Sequence, residues 1–433
     1  MSAADGTGTW TWRRTWAQSI ASPGRLAIGV ALLVVSCAGL YALSLAVQLP
    51  MSDIEVYRAE GQAAATGGDL YGFTVTKWAL PATYPPFAAL LFVPTTWISL
   101  TTLKITCVMA NAALLALLIH LSCKAAGLRR YAYSAPLLLG TTALGLWLEP
   151  VFQTLVFGQV NLALTCLVLW DLSRPDGARF KGFAIGLAAG IKLTPAIFAV
   201  YLLITGRVKA AFTAFAGFVV SVLLGVLVLP GASVDFWTRR MFETQRVGKV
   251  WIVDNQSLQG LVARLLGTTT PGLWWLAAAV VTAAAGLWVA RRCHRNRGRD
   301  LWGVLATAVT ALLVSPISWS HHWVWCVPLL VALIAHARRD RRRWALVAAV
   351  TVLFAARSMW ALNHRGTLAL HFPWWQQPLA SPYPVLGLAL LAALAWWTLR
   401  PPGRPGTPGG LLAARRVPAP RTDVRRPTEA PTG

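Results

Sequence analysis

The sequence has few charged residues, and acidic residues are the scarcest of them. Asp, Glu, Lys and Arg make up 12% of the 433 residues, about half the share that a soluble protein carries. Asp and Glu number only 15 against 39 Lys and Arg, so the formal net charge is +24. So little charge over so long a chain excludes an ordinary soluble domain.

The large positive excess does not indicate a nucleic-acid partner, because of where the basic residues lie. They occur in short loops between apolar runs and in the C-terminal region. That distribution is the positive-inside pattern, in which basic loops stay in the cytoplasm and orient the membrane helices. We therefore expect no nucleic acid among the partners, and we expect anionic membrane lipids to contact the basic loops.

Cysteine is also sparse, and its spacing argues against a disulfide framework or a zinc site. All six cysteines lie in or beside apolar runs without a CxxC pair, as expected of small buried hydrophobic residues. The sequence has no HExxH, P-loop, GxSxG or EF-hand motif. Their absence excludes the commonest zinc-peptidase, nucleotide-binding, hydrolase and calcium-binding sites.

Long apolar runs are what the sequence does have. Hydrophobic residues make up 56% of the chain, its mean hydropathy is +0.56, and runs of about 15 to 20 apolar residues recur along it. This pattern predicts an all-α, polytopic integral membrane protein with about twelve transmembrane helices, outer loops and re-entrant segments. The predicted divisions are a cytoplasmic segment 1–23, a transmembrane domain 24–399 with a first outer loop at 51–84, and a disordered, basic cytoplasmic tail 400–433.

Two apolar runs contain a proline and are predicted to be irregular. The run 87–100 is short and is interrupted by Pro94, so we interpret it as re-entrant or interfacial. The run 182–207 has basic residues at both ends and Lys192 and Pro195 in its middle, which favours two short arms or one kinked helix. Either geometry places the Lys192 ammonium in a water-filled cavity, although a lysine that snorkels to the interface is the alternative.

The polar motifs fall on one side of the membrane when the basic loops are placed inside. The residues predicted to lie outside are Asp53, Tyr84, Gln159, Asn161, Lys192, Asn255, Ser257, His321 and His322. A transporter would place such groups midway across its spans, where the substrate site lies. We therefore predict a multi-pass cell-membrane protein with an extracytoplasmic active site and both termini in the cytoplasm. A flippase for lipid-linked sugars is the alternative of another class.

Asp53 is the carboxylate on which this predicted site depends. It lies three residues after Pro50, where the first apolar run ends, so it can be partly desolvated without burial in hydrocarbon. Positions 53, 57 and 60 share one helical face, which would bring Tyr57 and Glu60 beside it. A carboxylate with a histidine suits proton abstraction from a hydroxyl, whereas a lysine suits a departing phosphate. Tryptophans and side-chain amides suit a sugar.

Six short motifs follow one another in the order and spacing of a known family. They are Asp53 with Tyr57, Tyr84-Pro85-Pro86, Gly158-Gln159-Val160-Asn161, Gly190-Ile191-Lys192-Leu193-Thr194-Pro195, Asn255-Gln256-Ser257 and Ser315-Pro316-Ile317-Ser318-Trp319-Ser320-His321-His322. Over residues 25–399 the chain resembles the actinobacterial polyprenol-phosphate-mannose-dependent α-(1→2)-mannosyltransferases, which have the C-type glycosyltransferase fold.

The resemblance implies transfer of mannose from a polyprenyl-phosphate mannose donor to a mannosylated lipid, either a phosphatidylinositol mannoside or lipomannan. A β-linked donor that gives an α-(1→2) mannoside inverts the anomeric centre, so one base suffices. No acidic residue pairs with Asp53 in the manner of a DxD motif, because Asp53 and Glu55 point apart on a helix. We therefore expect no metal or other cofactor. Transfer of arabinofuranose or another polyprenol-linked sugar is the alternative within enzymes.

The motifs and the resemblance together assign roles to individual residues. Asp53 and His322 are the catalytic candidates; Asp53 is favoured as the base, with His322 bonded to the acceptor or forming a relay with Asp53. Lys192 is predicted to bind the donor phosphate. Its predicted helpers are Arg240, Arg246 and Arg365. The predicted sugar or acceptor contacts are Tyr57, Tyr84, Gln159, Asn161, Asn255, Ser257, Trp319 and His321.

The two adjacent histidines are not expected to act on one ligand. Neighbouring side chains on a helix diverge by about 100°, so His321 and His322 should not share a metal ion. We therefore expect His321 to point elsewhere and to matter less than His322.

Overall fold

The structure, a computed structural model, is built almost wholly of helices. It describes residues 23–47, 50–295, 300–338, 340–363 and 366–400. The predicted cytoplasmic segment and the predicted C-terminal tail lie outside these ranges, apart from residues 23 and 400. Within the described ranges, 19 α-helices and one short two-stranded hairpin form the protein, which agrees with the all-α prediction.

The elements run in a simple order along the chain. The helices are α1 (Pro23–Val47), α2 (Ser52–Thr66), α3 (Pro86–Phe92), α4 (Leu100–Ala125), α5 (Arg129–Ala132), α6 (Ala135–Gly145), α7 (Glu149–Phe157), α8 (Asn161–Leu172), α9 (Phe183–Ile191), α10 (Ile197–Ile204), α11 (Val208–Val228), α12 (Pro230–Thr238), α13 (Leu258–Leu266), α14 (Gly272–Arg295), α15 (Asp300–Val314), α16 (Cys326–Ala337), α17 (Trp344–Ala355), α18 (Gln377–Ala380) and α19 (Pro382–Leu399). Strands β1 (Thr74–Val75) and β2 (Leu80–Pro81) pair antiparallel in the predicted first outer loop, with Thr74 opposite Pro81.

Six helices of the described part are long and apolar enough to cross a membrane, judged by length and composition. They are α1, α4, α11, α14, α19 and the helix Ser320–Ala337, which begins as a 3₁₀ helix and continues as α16. Helices α6 and α7 together are a seventh candidate, bent by 75°. A helical, polytopic membrane protein is therefore confirmed.

The predicted count of about twelve crossings is not confirmed, because several predicted spans are short helices. Helix α8 has 12 residues and α15 has 15. At about 1.5 Å per residue these helices are about 18 and 23 Å long, against a hydrocarbon core of about 30 Å. A continuous apolar sequence therefore does not mark a continuous helix in this chain.

The two apolar runs with an internal proline are both broken, as predicted. The first becomes α3 and a 3₁₀ helix at Val93–Thr96, which together are too short to span. The second breaks at Lys192, whose extended backbone separates α9 from a 3₁₀ helix at Thr194–Ala196 and from α10. Of the two predicted geometries, the structure adopts two short arms with Lys192 between them.

Glycines on α9 allow it to lie very close to α11. A Cβ atom at Gly186 would be 2.0 Å from the carbonyl oxygen of Ala214, and one at Gly190 would be 1.9 Å from Oγ of Ser221. Any larger residue at either position would therefore push the two helices apart. This close contact fixes the end of α9, and with it the position of Lys192.

Asp53 is positioned by an unusual backbone conformation directly before α2. Met51 adopts a left-handed conformation (φ 42°, ψ 42°) directly before α2, and its N–H donates to the carbonyl oxygen of Val156 at 2.9 Å. Left-handed backbone costs a non-glycine residue roughly 1 to 2 kcal/mol, so surrounding contacts must hold it. Those contacts exist, because Met51 belongs to a buried cluster with Tyr57 and Phe92.

Candidate active site

Helix α2 presents Asp53 and Tyr57 on one face, as their spacing predicts. Tyr57 is almost fully buried and stacks on Phe92, with ring centroids 4.4 Å apart. Glu60 lies one turn further along, where its Oε1 accepts the N–H of Thr83 at 3.3 Å. Asp53 and Tyr57 therefore reach the cavity described below, whereas Glu60 is buried behind it.

Two hydrogen bonds orient the Asp53 carboxyl group. Nε2 of Gln159 donates to Oδ2, and Oγ of Ser52 donates to Oδ1 at 3.1 Å. Burial raises the pKa of Asp53 above its usual value, while these hydrogen bonds and the charge of Lys192 oppose that rise. A carboxylate with a raised pKa holds a proton more readily, which suits a general base.

Gln159 connects this carboxyl group to two tyrosines. Its Oε1 accepts a hydrogen bond from Tyr57 Oη at 2.9 Å and one from Tyr84 Oη at 3.1 Å. Gln159 can reach the site because Gly158, with a φ of 74°, ends α7 and turns the chain before α8. One amide therefore joins α2 to the segment before α3, through groups that both donate and accept.

Lys192 lies at the other end of the same hydrogen-bonded chain. Its ammonium donates to Asn161 Oδ1 at 3.2 Å and to Tyr84 Oη at 3.5 Å, and it lies 2.9 Å from His322 Nε2. Among the described residues, no carboxylate forms an ion pair with it. A half-buried ammonium held only by neutral groups can accept an anion.

The two histidines lie in a 3₁₀ helix, Ser320–Trp325, with ring planes at 85° and centroids 4.9 Å apart. Both rings line the cavity, so the expectation that His321 points elsewhere is wrong. The His321 side chain is buried, and neither of its ring nitrogens has a hydrogen-bond partner. His322 Nε2 faces Lys192, and the hydrogen bonds of Asp53 go to Gln159 and Ser52, so the structure does not form a direct relay between Asp53 and His322.

These groups line one cavity of about 800 Å³. The predicted site residues in its wall are Asp53, Tyr57, Tyr84, Gln159, Lys192, Arg240, Arg246, Trp319, His321 and His322. Apolar side chains complete the wall, among them Trp78, Phe236, Met241, Val247 and Ile317. A cavity of this size with a mixed wall fits a sugar phosphate together with part of its lipid.

The two predicted arginines in the wall already have partners. Arg240 forms ion pairs with Asp235 at 2.7 Å and with Glu243 at 3.1 Å. Arg246 lies 3.8 Å from Glu243 and donates to a backbone carbonyl oxygen at 2.9 Å. Arg365, the third predicted helper of Lys192, lies outside the described residues. Of Lys192, Arg240 and Arg246, only Lys192 has no carboxylate partner in the described part of the chain. Its charge is therefore the least neutralised of the three.

Three predicted sugar contacts do not line this cavity. Asn161 lines a smaller neighbouring cavity of about 50 Å³. Asn255 and Ser257 are fully buried, and both donate to the carbonyl oxygen of Pro316, at 3.1 and 3.0 Å. Asn255 also forms an antiparallel bridge with Trp319. The prediction that Asn255 and Ser257 contact the sugar is therefore corrected. Both side chains lie behind the cavity wall and support the segment that carries Trp319.

Asp254 is a cavity residue that the sequence did not single out. Its side chain lines the same wall, and its Oδ1 accepts the N–H of Ser320 at 3.1 Å. Burial raises its pKa to about 7. The one sequence signal was its position directly before the motif Asn255-Gln256-Ser257.

Within the described ranges, no three His, Cys, Asp or Glu side chains are grouped closely enough to hold a metal ion. The expectation that the protein needs no metal stays a prediction.

Comparison with known proteins agrees with the motifs. The model of glycosyltransferase family 87 matches residues 82–316. The chain is 32% identical over 402 residues to a Mycobacterium tuberculosis protein named polyprenol-phosphate-mannose-dependent α-(1-2)-phosphatidylinositol mannoside mannosyltransferase, covering 88% of this chain and 89% of the relative. It is 32% identical over 361 residues to a Mycolicibacterium smegmatis protein with the corresponding pentamannoside name, covering 79% and 84%. No solved structure matches. The chain belongs to glycosyltransferase family 87, as the resemblance of its six motifs predicted.

Proposed function

We propose that this protein transfers mannose from polyprenyl-phosphate mannose to a hydroxyl of a phosphatidylinositol mannoside, forming an α-(1→2) link with inversion. One observation carries the proposal: a hydrogen-bonded chain through Gln159 joins the Asp53 carboxyl to the Lys192 ammonium within one cavity. It gives one site both a proton acceptor and a phosphate-binding cation. The printed names of the mycobacterial relatives support the donor and acceptor class. Lipomannan is a second acceptor of the same chemistry.

The proposed step is one displacement at the anomeric carbon. The acceptor hydroxyl gives its proton to the Asp53 carboxylate while its oxygen forms a bond to that carbon. The bond from the carbon to the phosphate oxygen breaks at the same time, and its electron pair leaves with polyprenyl phosphate. Inversion follows because the two oxygens lie on opposite faces of the sugar, through an oxocarbenium-like transition state. The step as proposed uses no metal or other cofactor.

Lys192 is proposed to stabilise the departing phosphate. Its ammonium has no acidic partner among the described residues, so an incoming phosphate can pair with it directly. Arg240 and Arg246 are proposed as secondary contacts, because each already shares its charge with Glu243. The proposed role of Arg365 has the sequence as its only support.

The proposal is tested with the purified, full-length protein. We expect polyprenyl-phosphate mannose and a phosphatidylinositol mannoside to give one equivalent each of polyprenyl phosphate and of the elongated glycolipid, measured by mass spectrometry. Turnover of polyprenyl-phosphate arabinofuranose instead would favour the alternative sugar. Movement of intact donor across liposome membranes, without any release of polyprenyl phosphate, would favour the flippase and reject the transferase.

We also propose that the cavity opens on the extracytoplasmic side of the cell membrane and that both termini are cytoplasmic. The support is the positive-inside distribution, since Arg291, Arg292 and Arg295 all end one span, α14. The basic loops are proposed to contact anionic lipid headgroups.

Cysteine labelling at the two ends of α14 tests this orientation. In a cysteine-free background, we expect Thr269→Cys to react with an impermeant maleimide applied to intact cells, because position 269 is exposed on the cavity side of the span. Arg291→Cys, exposed at the other end, should react only after the membrane is made permeable. Protection of position 269 together with labelling of position 291 would reverse the orientation.

His322→Ala should lower turnover about tenfold, because the lost hydrogen bond leaves Lys192 less firmly oriented. The remaining partners, Asn161 and Tyr84, still hold the ammonium, so transfer should persist. Steady-state turnover of the purified variant measures the effect. His371→Ala is the matched control, because His371 is exposed and does not line the cavity. Equal rates for His322→Ala and wild type would show that His322 is dispensable.

A further inference from the structure

Asp254 is a second carboxylate in the cavity that holds Asp53. Both side chains lie in the wall of the 800 Å³ space. The Asp53 carboxylate exerts an electrostatic effect on Asp254, as does that of Glu149, so the negative groups lie within reach of one another. The proposed displacement needs only one base, which leaves Asp254 without a role in the reaction described above.

The protein only partly satisfies the Asp254 carboxyl group. Ser320 is the residue of the described ranges that bonds to it, through its backbone N–H, which Oδ1 accepts at 3.1 Å, and the hydroxyl of the same serine also stabilises the carboxylate. No lysine, arginine or histidine of those ranges forms an ion pair with it. Burial raises its pKa to about 7; the charges of Glu149 and Asp53 add to the rise, and the hydrogen bonds from Ser320 oppose it. A half-buried carboxyl group with spare acceptor capacity is suited to a ligand that supplies donors.

The neighbours of Asp254 have the chemistry that a sugar requires. Trp319 presents its indole ring to the cavity and packs on Gly248, where a Cβ would lie 2.7 Å from the ring. His321 lines the same wall with two ring nitrogens that have no partner in the protein. An aromatic face, a carboxylate and an imidazole together offer a stacking surface, an acceptor and a group that both donates and accepts.

We infer that Asp254 binds a hydroxyl group of a mannose ring in the cavity, beside Trp319 and His321, and so helps to select and orient a substrate. The inference rests on the proposed function, because it needs a mannosyl ligand. Ionised Asp254 accepts a hydrogen bond from the sugar hydroxyl, while its other oxygen stays bonded to the N–H of Ser320. Two sugars can supply that hydroxyl, the transferred mannose and the accepting mannose.

Asp254→Asn is the sharpest variant for this inference. The amide oxygen can still accept the N–H of Ser320, so the segment that carries the histidines keeps its support. The NH₂ group replaces the acceptor oxygen with a donor, so we expect kcat/KM for one substrate to fall about tenfold to a hundredfold. A rise in the KM of the acceptor alone places Asp254 on the accepting mannose, and a rise in that of the donor alone places it on the transferred mannose.

Deoxy substrates separate recognition from a structural effect. Removal of the hydroxyl that Asp254 binds should lower kcat/KM in the wild type but cause little further loss in Asp254→Asn. A purely structural role would leave the two losses additive. Asp340→Asn is the control, because Asp340 also accepts a backbone N–H, from Arg342 at 3.0 Å, and lies outside the cavity wall; it differs from Asp254 in its ion pair with Arg343 at 3.4 Å.

A negative result for Asp254 can be distinguished from failure of the proposed function. The wild type must first transfer mannose in the same assay, which establishes the activity on its own. Folding of Asp254→Asn is checked by its melting temperature and by size-exclusion chromatography against the Asp340→Asn control. A folded Asp254→Asn with wild-type KM and kcat for both substrates, or with additive losses on every deoxy substrate, overturns the inference.

Discussion

Asp53→Asn should lower the rate of mannose transfer by about a hundredfold to ten-thousandfold, the usual cost of removing a general base. The asparagine keeps the shape of the side chain, and its oxygen can still accept the hydrogen bond from Gln159. It cannot take a proton from the acceptor hydroxyl. Turnover of the purified variant measures the loss, and binding of the donor should remain nearly unchanged because Lys192 is intact.

The pH profile gives a second measure of the same residue. Burial raises the pKa of Asp53, so in the wild type the rate should fall on acidification at a higher pH than an exposed aspartate would give. The sign follows from the chemistry, because below that pKa the carboxyl group is protonated and cannot act as a base. The residual activity of Asp53→Asn should lack this fall.

Two comparisons make the result for Asp53 decisive. Glu55→Gln is the matched control, since Glu55 lies on the same helix, pairs with Lys104 at 2.7 Å and does not line the cavity. His322→Ala is the competing base. If Asp53→Asn kept more than about a tenth of the wild-type rate while His322→Ala had no activity, the two roles would be exchanged.

Local spacing predicted part of the site correctly. The helical positions of Asp53 and Tyr57 predicted a shared face, and the structure places both in one hydrogen-bonded group with Gln159. A lysine and a proline inside an apolar run predicted either two short arms or one kinked helix, and the chain breaks at Lys192. In both cases the sequence signal lies within a few residues of the chain, and packing against other helices then holds the geometry.

The sequence could not predict which of the remaining residues face the cavity, because long-range packing determines this. Asp254 is one charged residue in a polar segment, and long-range contacts such as the bridge between Asn255 and Trp319 bring that segment to the cavity wall. Asn255 belongs to a motif, but a motif does not distinguish a residue that faces a cavity from one that supports its wall. His321 was misplaced because the segment is a 3₁₀ helix beside a wide cavity, in which two adjacent rings both reach the space.

Lys192→Ala should lower turnover or donor affinity by about tenfold to a hundredfold. A hydrogen bond to a charged group contributes roughly 1.5 to 3 kcal/mol, and about 1.4 kcal/mol corresponds to a factor of ten. The ammonium is held by Asn161, Tyr84 and His322, so it is oriented before the phosphate arrives. The loss should therefore appear in the kinetic constants for the donor, with the acceptor KM little changed.

Lys192→Met separates the lost charge from the lost volume, because methionine fills much of the same space without a cation. Equal losses in the alanine and methionine variants assign the effect to the charge, whereas activity restored by methionine would assign it to packing. Lys104→Ala is the control for removal of a lysine from outside the cavity wall, where it pairs with Glu55. Wild-type kinetics in a folded Lys192→Ala would refute phosphate binding, since a snorkelling lysine can be removed without changing turnover. A loss confined to the kinetic constants for the donor would instead show that Lys192, at the break after α9, assists the departure of the phosphate.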